Sequence, residues 1–447
     1  MNGKKNTIVN PVKELIKKVC LSVTGSDPKV LRSCLAYAKQ RGDYFICEAT
    51  VNQVNQYGGY TGMKPADYAR MMSDLADEIG FDKKKLILAG DHLGPFAWQD
   101  LEAEEAMQRS EELIRVYVAA GFRKIHLDTT IPLKGDDPDK FGDEVIAERA
   151  VRLAKAAEET YEKTKIDTLW SYRPVYVIGS EVPVPGGSKK VEKMEVTKPE
   201  DLEKSIICFK NAFINNSLKQ VWDDTVAVVA QIGLEFSEDN VYDFNYEAAR
   251  SLADKLKEFP QLVFESHSSD YQTPVHLQEM VMDGVGILKV GPELTFEHRA
   301  ALFSLAAIED VLAPAWGFEP SHFVKVLDQA MVLAKPDYWS KYYHGNEGEK
   351  AMKRAYSYSD RARYYFTQPE ILAARRKLID NLSSRKIPLY MLSQYAPVQY
   401  KKIREGDLPN SPEAIVADRI SSVVDRYYSN MLIGRQRKEG NNSYHEK

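Results

Sequence analysis

At 447 residues, with 44% hydrophobic and 28% charged residues, the chain has the make-up of a soluble globular protein with a sizeable core. Its formal net charge of -5 speaks against nucleic acid or an anionic membrane as its main partner. No apolar run approaches the roughly 18 residues of a membrane-spanning helix, and the polar, Lys-bearing N-terminus lacks the apolar stretch of a signal peptide. A cytoplasmic protein is therefore expected. The four cysteines, Cys20, Cys34, Cys47 and Cys208, form no CxxC pair and are expected as buried thiols rather than disulfides or metal ligands.

Short apolar runs alternate along the chain with longer amphipathic stretches, the rhythm of repeated β-α units around a parallel sheet. Strands are predicted at 18–23, 44–49, 86–90, 124–127, 175–178, 225–231, 262–265 and 286–290. Between them, helical periodicity covers 65–79, 103–120 and 244–257. Asp100-Leu-Glu-Ala-Glu104 and Asn245-Tyr-Glu-Ala supply acidic first turns suited to helix N-termini. The strand count is the number that closes a (β/α)8 TIM barrel. Beyond about residue 300 helical periodicity continues without a further strand. The expected organisation is an α/β barrel over 1–310, a helical C-terminal extension over 311–435 and a polar, disordered tail over 436–447. The extension is expected to pack on the barrel or on a second copy, making a homo-oligomer.

In a barrel of parallel strands the chemistry collects at the C-terminal strand ends, where the β-α loops converge. The predicted ends carry Glu48 on the second strand, Asp91-His92 on the third, His126 and Asp128 on the fourth and Glu181 on the fifth. Glu235 follows on the sixth, His267 on the seventh and Lys289 on the eighth. Each has an ordinary alternative as a core or solvated side chain; their joint placement at strand ends is what points to a shared polar site. Imidazoles and carboxylates from separate strands make a cage suited to zinc, manganese or cobalt. Lys289, between Leu288 and Val290, must reach solvent or a partner. Gly58-Gly59-Tyr-Thr-Gly62 lacks the spacing of a phosphate or dinucleotide loop, and Lys83-Lys84-Lys85 is expected as a solvated link.

Several segments resemble one family. They are Glu48-Ala-Thr-Val-Asn-Gln-Val-Asn-Gln-Tyr-Gly-Gly-Tyr-Thr-Gly-Met63, Gly90-Asp-His-Leu-Gly-Pro95 and Ala119-Ala-Gly-Phe-Arg-Lys-Ile-His-Leu-Asp128. Gly179-Ser-Glu-Val-Pro-Val-Pro-Gly-Gly187, Ser266-His-Ser-Ser-Asp-Tyr-Gln-Thr-Pro274 and Leu288-Lys-Val-Gly-Pro-Glu-Leu-Thr-Phe296 continue the match. Tyr342-Tyr-His-Gly345, Tyr356-Ser-Tyr-Ser-Asp-Arg361 and Leu392-Ser-Gln-Tyr395 carry it almost to the C-terminus. Together they resemble the Z-type subunit of tagatose-1,6-bisphosphate aldolase.

That resemblance implies kinship with the class II aldolases, TIM barrels that use a divalent metal. It gives Asp91 the role of moving a substrate proton, with Glu181 and Asp128 matching acidic positions nearby. It gives His92 and His267 to the metal, with Glu235 where those aldolases place a histidine, and zinc, manganese, cobalt or nickel as the ion. Ser268-Ser269-Asp270 stands where glycines hold a substrate phosphate, and Gly291 where an asparagine is found, so turnover of a bisphosphate is not the expectation. Glu48, Asn52, Gln53, His126, Ser268 and Lys289 are expected to contact a ketose or ketose phosphate. Two functions follow from the family: a metal-dependent epimerase interconverting D-fructose and D-tagatose at C4 by retro-aldol and aldol steps, or a non-catalytic subunit that stabilises the catalytic subunit of the aldolase.

Overall fold

The computed structural model describes residues 9–164, 171–179 and 195–445, with side chains given as far as residue 440. Eight parallel strands close a barrel: β1 Cys20–Thr24, β2 Phe45–Thr50, β3 Leu86–Leu93, β4 Lys124–Leu127, β5 Val175–Gly179, β6 Thr225–Val229, β7 Val263–Ser266 and β8 Val285–Val290. Neighbours around the barrel follow chain order, and β8 closes it against β1 with Ser22 opposite Lys289. Each strand is followed by a helix: α1 Pro28–Arg41, α2 Pro65–Ile79, α3 Ala103–Ala119, α4 Asp143–Thr164, α5 Pro199–Asn215, α6 Tyr246–Leu256, α7 Pro274–Met282 and α8 Pro292–Trp316. The (β/α)8 barrel with a helical C-terminal region is thus the fold of this chain.

Local chemistry explains the helix ends. The Asp27 carboxylate accepts the backbone N–H groups of Lys29 and Val30 at the start of α1, and Gly42 ends that helix at φ 70°. Asn245 accepts the Ala248 N–H at the start of α6. All four cysteines are free thiols; Cys20, Cys34 and Cys47 are buried. Among the described residues no helix is long and apolar enough to cross a membrane.

Side chains two apart on a strand share a face, so the barrel interior is built in layers. Its lower part is apolar: Cys20, Ile46, Ile87, Val175, Val177, Ala227 and Ile287 pack together, with Val12 and Ile16 from the N-terminal helical turns against them. One step up, the same strand faces bring Ser22, Glu48, Lys124, Glu265 and Lys289, all buried. Another step up stand Asp91, His126 and His267.

The sixth strand ends at Val229, earlier than the predicted residue 231. Glu235 therefore lies beyond it, in a short antiparallel hairpin of Glu235–Phe236 with Val241–Tyr242. The final helix runs over Pro412–His445. It lies against α7, α8 and α1, and Gly434 lets it approach so closely that a Cβ there would sit 2.7 Å from the Gln278 carbonyl oxygen.

The turn after β3 is equally tight. A Cβ on Gly94 would fall 1.7 Å from the Asp128 carbonyl oxygen, so the β3 and β4 strand ends meet only because residue 94 has no side chain. Gly94→Ala is expected to destabilise the fold by about 3 kcal/mol, measured by urea denaturation, with the loss traced to separation of the Asp91-His92 and Asp128 strand ends.

Candidate metal centre and pocket at the barrel mouth

The centre is built on a buried layer of charge. Lys124 on β4 reaches Glu48 on β2 and Glu265 on β7, and all three side chains are fully buried. Ser22 Oγ donates to Glu48 Oε1 at 2.6 Å. Lys289 on β8 lies against Asp91 and stands 2.9 Å from Glu48 Oε2 and 3.5 Å from Glu265 Oε1. Two ammonium groups thus face three carboxylates away from water, an arrangement tolerable only because the opposite charges touch. Burial works against charge on Lys124, but Glu265 and Glu48 hold its pKa above the ordinary lysine value. Burial likewise opposes the Glu265 carboxylate, and Lys124 and Lys289 outweigh it, keeping the group ionised well below the usual range.

Above this layer stand three imidazoles. The rings of His92, His126 and His267 lie 4.8 to 5.2 Å apart, centroid to centroid. Asp91, His126, Glu265 and His267 bring one potential ligand atom each to within 4.8 Å of one another. His126 Nε2 is buried without a hydrogen-bond partner among the described residues, the kind of polar atom that a cation satisfies. Two nitrogens and two carboxylates fit a zinc- or manganese-type ion.

Asp91 and His92 divide the space between them. Asp91 Oδ1 receives the His92 backbone N–H at 3.0 Å and stands 3.1 Å from His126 Nδ1. Oδ2 lies 3.8 Å from His92 Nε2. On its other side His92 Nδ1 bonds Asp128 Oδ2 at 2.7 Å, which fixes the ring orientation. Burial alone raises the Asp91 pKa, but His92, Lys289, His126 and His267 together hold it well below the carboxylate norm. Burial lowers the His92 pKa, yet Asp91 and Asp128 lift it above the ordinary histidine value. Burial first and Lys289 second push His267 down to about 3, so this imidazole is neutral and able to ligate.

Asp91, His92, His267 and Lys289 open onto a pocket at the barrel mouth, which Asn52, Gln53 and Ser268 also line. These seven expected site residues are brought together. Glu48, His126 and Asp128 are buried and bonded to members of this set without lining the pocket themselves. Glu235 stands outside the four-residue cluster. Its carboxylate takes the Phe236 N–H at 2.9 Å and a bond from Ser268, and burial lifts its pKa to about 7. Glu181 lies outside the described residues.

Sequence reasoning passed over Lys124 and Glu265, although each sits two residues before a histidine of the site, His126 and His267, and so shares its strand face. It also missed the far wall. Tyr60 from the loop after β2 and Arg363 and Tyr364 from the helical extension line the same pocket, with the Tyr60 and Tyr364 rings 4.6 Å apart.

Lys124→Met removes a counter-charge shared by two fully buried carboxylates. A loss of about 3–5 kcal/mol is expected on that ground, read from urea denaturation. A change within 1 kcal/mol or so, the scale of exposed pairs, would contradict the buried network.

Comparison with known proteins agrees with this architecture. The family model described as D-tagatose-1,6-bisphosphate aldolase subunit GatZ/KbaZ-like matches residues 6–431. A solved structure described as a probable tagatose 6 phosphate kinase from Sinorhizobium meliloti 1021 is 35% identical, with TM-score 0.83, over 92% of this chain and 100% of its own. The YdjI aldolase from Escherichia coli K12 is far more distant, at 11% identity and TM-score 0.40 over 67% of this chain and 86% of its own. The fructose-bisphosphate aldolase of Campylobacter jejuni stands at 13% and 0.40, over 84% and 94%.

Proposed function

This chain belongs to the GatZ/KbaZ-like family of D-tagatose-1,6-bisphosphate aldolase subunits, and from that membership we propose that it is a metal-dependent ketohexose 4-epimerase interconverting D-fructose and D-tagatose. The observation that carries the reading is the cluster of Asp91, His126, Glu265 and His267 at the floor of a pocket that Asp91 and His267 also line. A scaffold has no physical need to bury such a set, because each unshared charge in it costs stability.

A divalent ion held by these four residues would supply Lewis acidity at the ketose carbonyl. The chain's own groups account for the proton movements. Asp91 Oδ2, the oxygen not engaged by the His92 N–H and His126, takes the proton of the C4 hydroxyl. The O–H pair becomes the new C4 carbonyl bond, the C3–C4 bond breaks, and its electron pair moves to the C2 oxygen as an enediolate. The aldehyde fragment turns its other face, C3–C4 forms again, and Asp91 returns the proton to the C4 oxygen with that carbon inverted. His92, oriented by Asp128, presents Nε2 to a sugar oxygen, and Asn52, Gln53, Ser268 and Lys289 are placed on the pocket wall to hold hydroxyls. The Tyr60 and Tyr364 rings, packed edge to face, offer apolar surface to the carbon skeleton.

An unphosphorylated sugar is favoured by the loop after β7. Barrel enzymes often hold phosphate with the loops after strands 7 and 8 and a helix N-terminus. Here the Asp270 carboxylate already accepts the N–H groups of Gly291, at 2.9 Å, and Glu293, at 2.8 Å, at the start of α8. A carboxyl oxygen built into the chain occupies the donors that a phosphate would use. Asp270→Ala is expected to cost about 1 kcal/mol, as for the loss of a helix cap, in urea denaturation. Inorganic phosphate should restore part of that loss in the variant and leave the parent unchanged.

The family description, an aldolase subunit, favours a second reading in which the chain stabilises a separate catalytic subunit. The purified chain, incubated with manganese, cobalt, nickel or zinc and either sugar, decides between them. Interconversion is expected, with Asp91→Asn lowering kcat by on the order of 10²–10⁴-fold. No interconversion with any of the metals would leave the accessory reading in place.

A further inference from the structure

Lys289 stands where a metal would stand. Its ammonium lies against Asp91 Oδ1, 3.2 Å from His267 Nε2 and 3.5 Å from Glu265 Oε1. Three of the four clustered ligand groups, Asp91, His267 and Glu265, therefore already serve a cation that belongs to the chain. The charge balance points the same way. Three buried carboxylates, Glu48, Asp91 and Glu265, face the two ammonium groups of Lys124 and Lys289. A divalent ion added beside both lysines would leave excess positive charge among these buried groups. The same ion in place of Lys289, with Lys124 retained, matches the three carboxylates.

We propose that the Lys289 ammonium is the resident cation of this centre and that a divalent ion binds only by displacing it. Lys124, fully buried beneath the site and bonded to Glu48 and Glu265, stays in place and keeps the lower charge layer paired. Lys289 also lines the pocket, so its displaced ammonium has the pocket to move into. Metal affinity in this chain is accordingly lowered by its own lysine, and occupancy of the centre is coupled to the position of a side chain at the pocket wall.

The inference rests on the metal-dependent reading proposed above, and manganese alone serves as the probe. Removing a unit charge a few ångströms from the ion should strengthen binding by on the order of 100-fold, so Lys289→Met is expected to bind manganese that much more tightly than the parent in isothermal titration calorimetry. Equal or weaker binding by the variant overturns the exclusion and leaves the epimerase reading intact; absence of binding in both proteins overturns the two together. Because Lys289→Met also strips a counter-charge from buried carboxylates, the parent protein is examined directly. Reductive methylation of Lys289, read by mass spectrometry, should rise when manganese is saturating, since the displaced amine leaves its carboxylates. Equal labelling with and without manganese overturns displacement.

Discussion

Everything at the mouth of this barrel depends on the pairing of two buried lysines with three buried carboxylates. Charges taken from water carry a penalty of several kcal/mol each, and contact with opposite charge is what offsets it. Lys124 on β4 spans the interior to Glu48 on β2 and Glu265 on β7, tying together strands that are not neighbours around the barrel. Lys289 on β8 adds Asp91 on β3. The network therefore ties the strands bearing Asp91, His126 and His267 to one another and to β2 and β8 by charge, immediately below the three imidazoles.

The helical extension is part of the site and not an appendage to it. Tyr427, on the last helix, donates its hydroxyl to the Ser269 carbonyl, and Ser269 in turn donates to the Lys289 carbonyl, so the loop after β7 is fixed from outside. Arg426 grips Glu293, whose other contact is the Tyr271 N–H at 2.8 Å. Arg299 on α8 bonds Asp360 at 2.6 Å, just before the turn that brings Arg363 and Tyr364 to the pocket. These helices thus supply one wall of the cavity in front of the metal-type cluster and brace the loop that follows His267.

How much of this was legible in the sequence follows from periodicity. Short apolar runs ending in acids or histidines exposed eight strands and their order, and the strand-end rule singled out Asp91, His92, His126, His267 and Lys289 correctly as neighbours. Lys124 and Glu265 escape the strand-end rule because this barrel interior carries polar side chains one step lower on the same face. Glu235 was placed at the end of the sixth strand, yet that strand stops at Val229 and the chain turns into a hairpin instead. Gly233, at φ 93°, is the local mark of that turn. Arg363 and Tyr364 were beyond reach for a different reason: they arrive from a helical segment far along the chain, through tertiary bonds that no local pattern records.

The Asp91-His92 pair shows where local rules bend to serve a site. Consecutive residues on a strand point to opposite faces, so a regular β3 would turn His92 away from the barrel interior that Asp91 enters. His92 instead adopts φ 47°, a left-handed conformation that costs a non-glycine residue of the order of 1–3 kcal/mol, and the register between β3 and β4 shifts at this point. The strain is held by bonds on both sides: the His92 N–H on Asp91 and His126, and the ring on Asp128. Gly94 then lets the strand ends close. Two neighbours in sequence thereby present a carboxylate oxygen and an imidazole nitrogen 3.8 Å apart to one pocket, a geometry that an unstrained strand cannot offer.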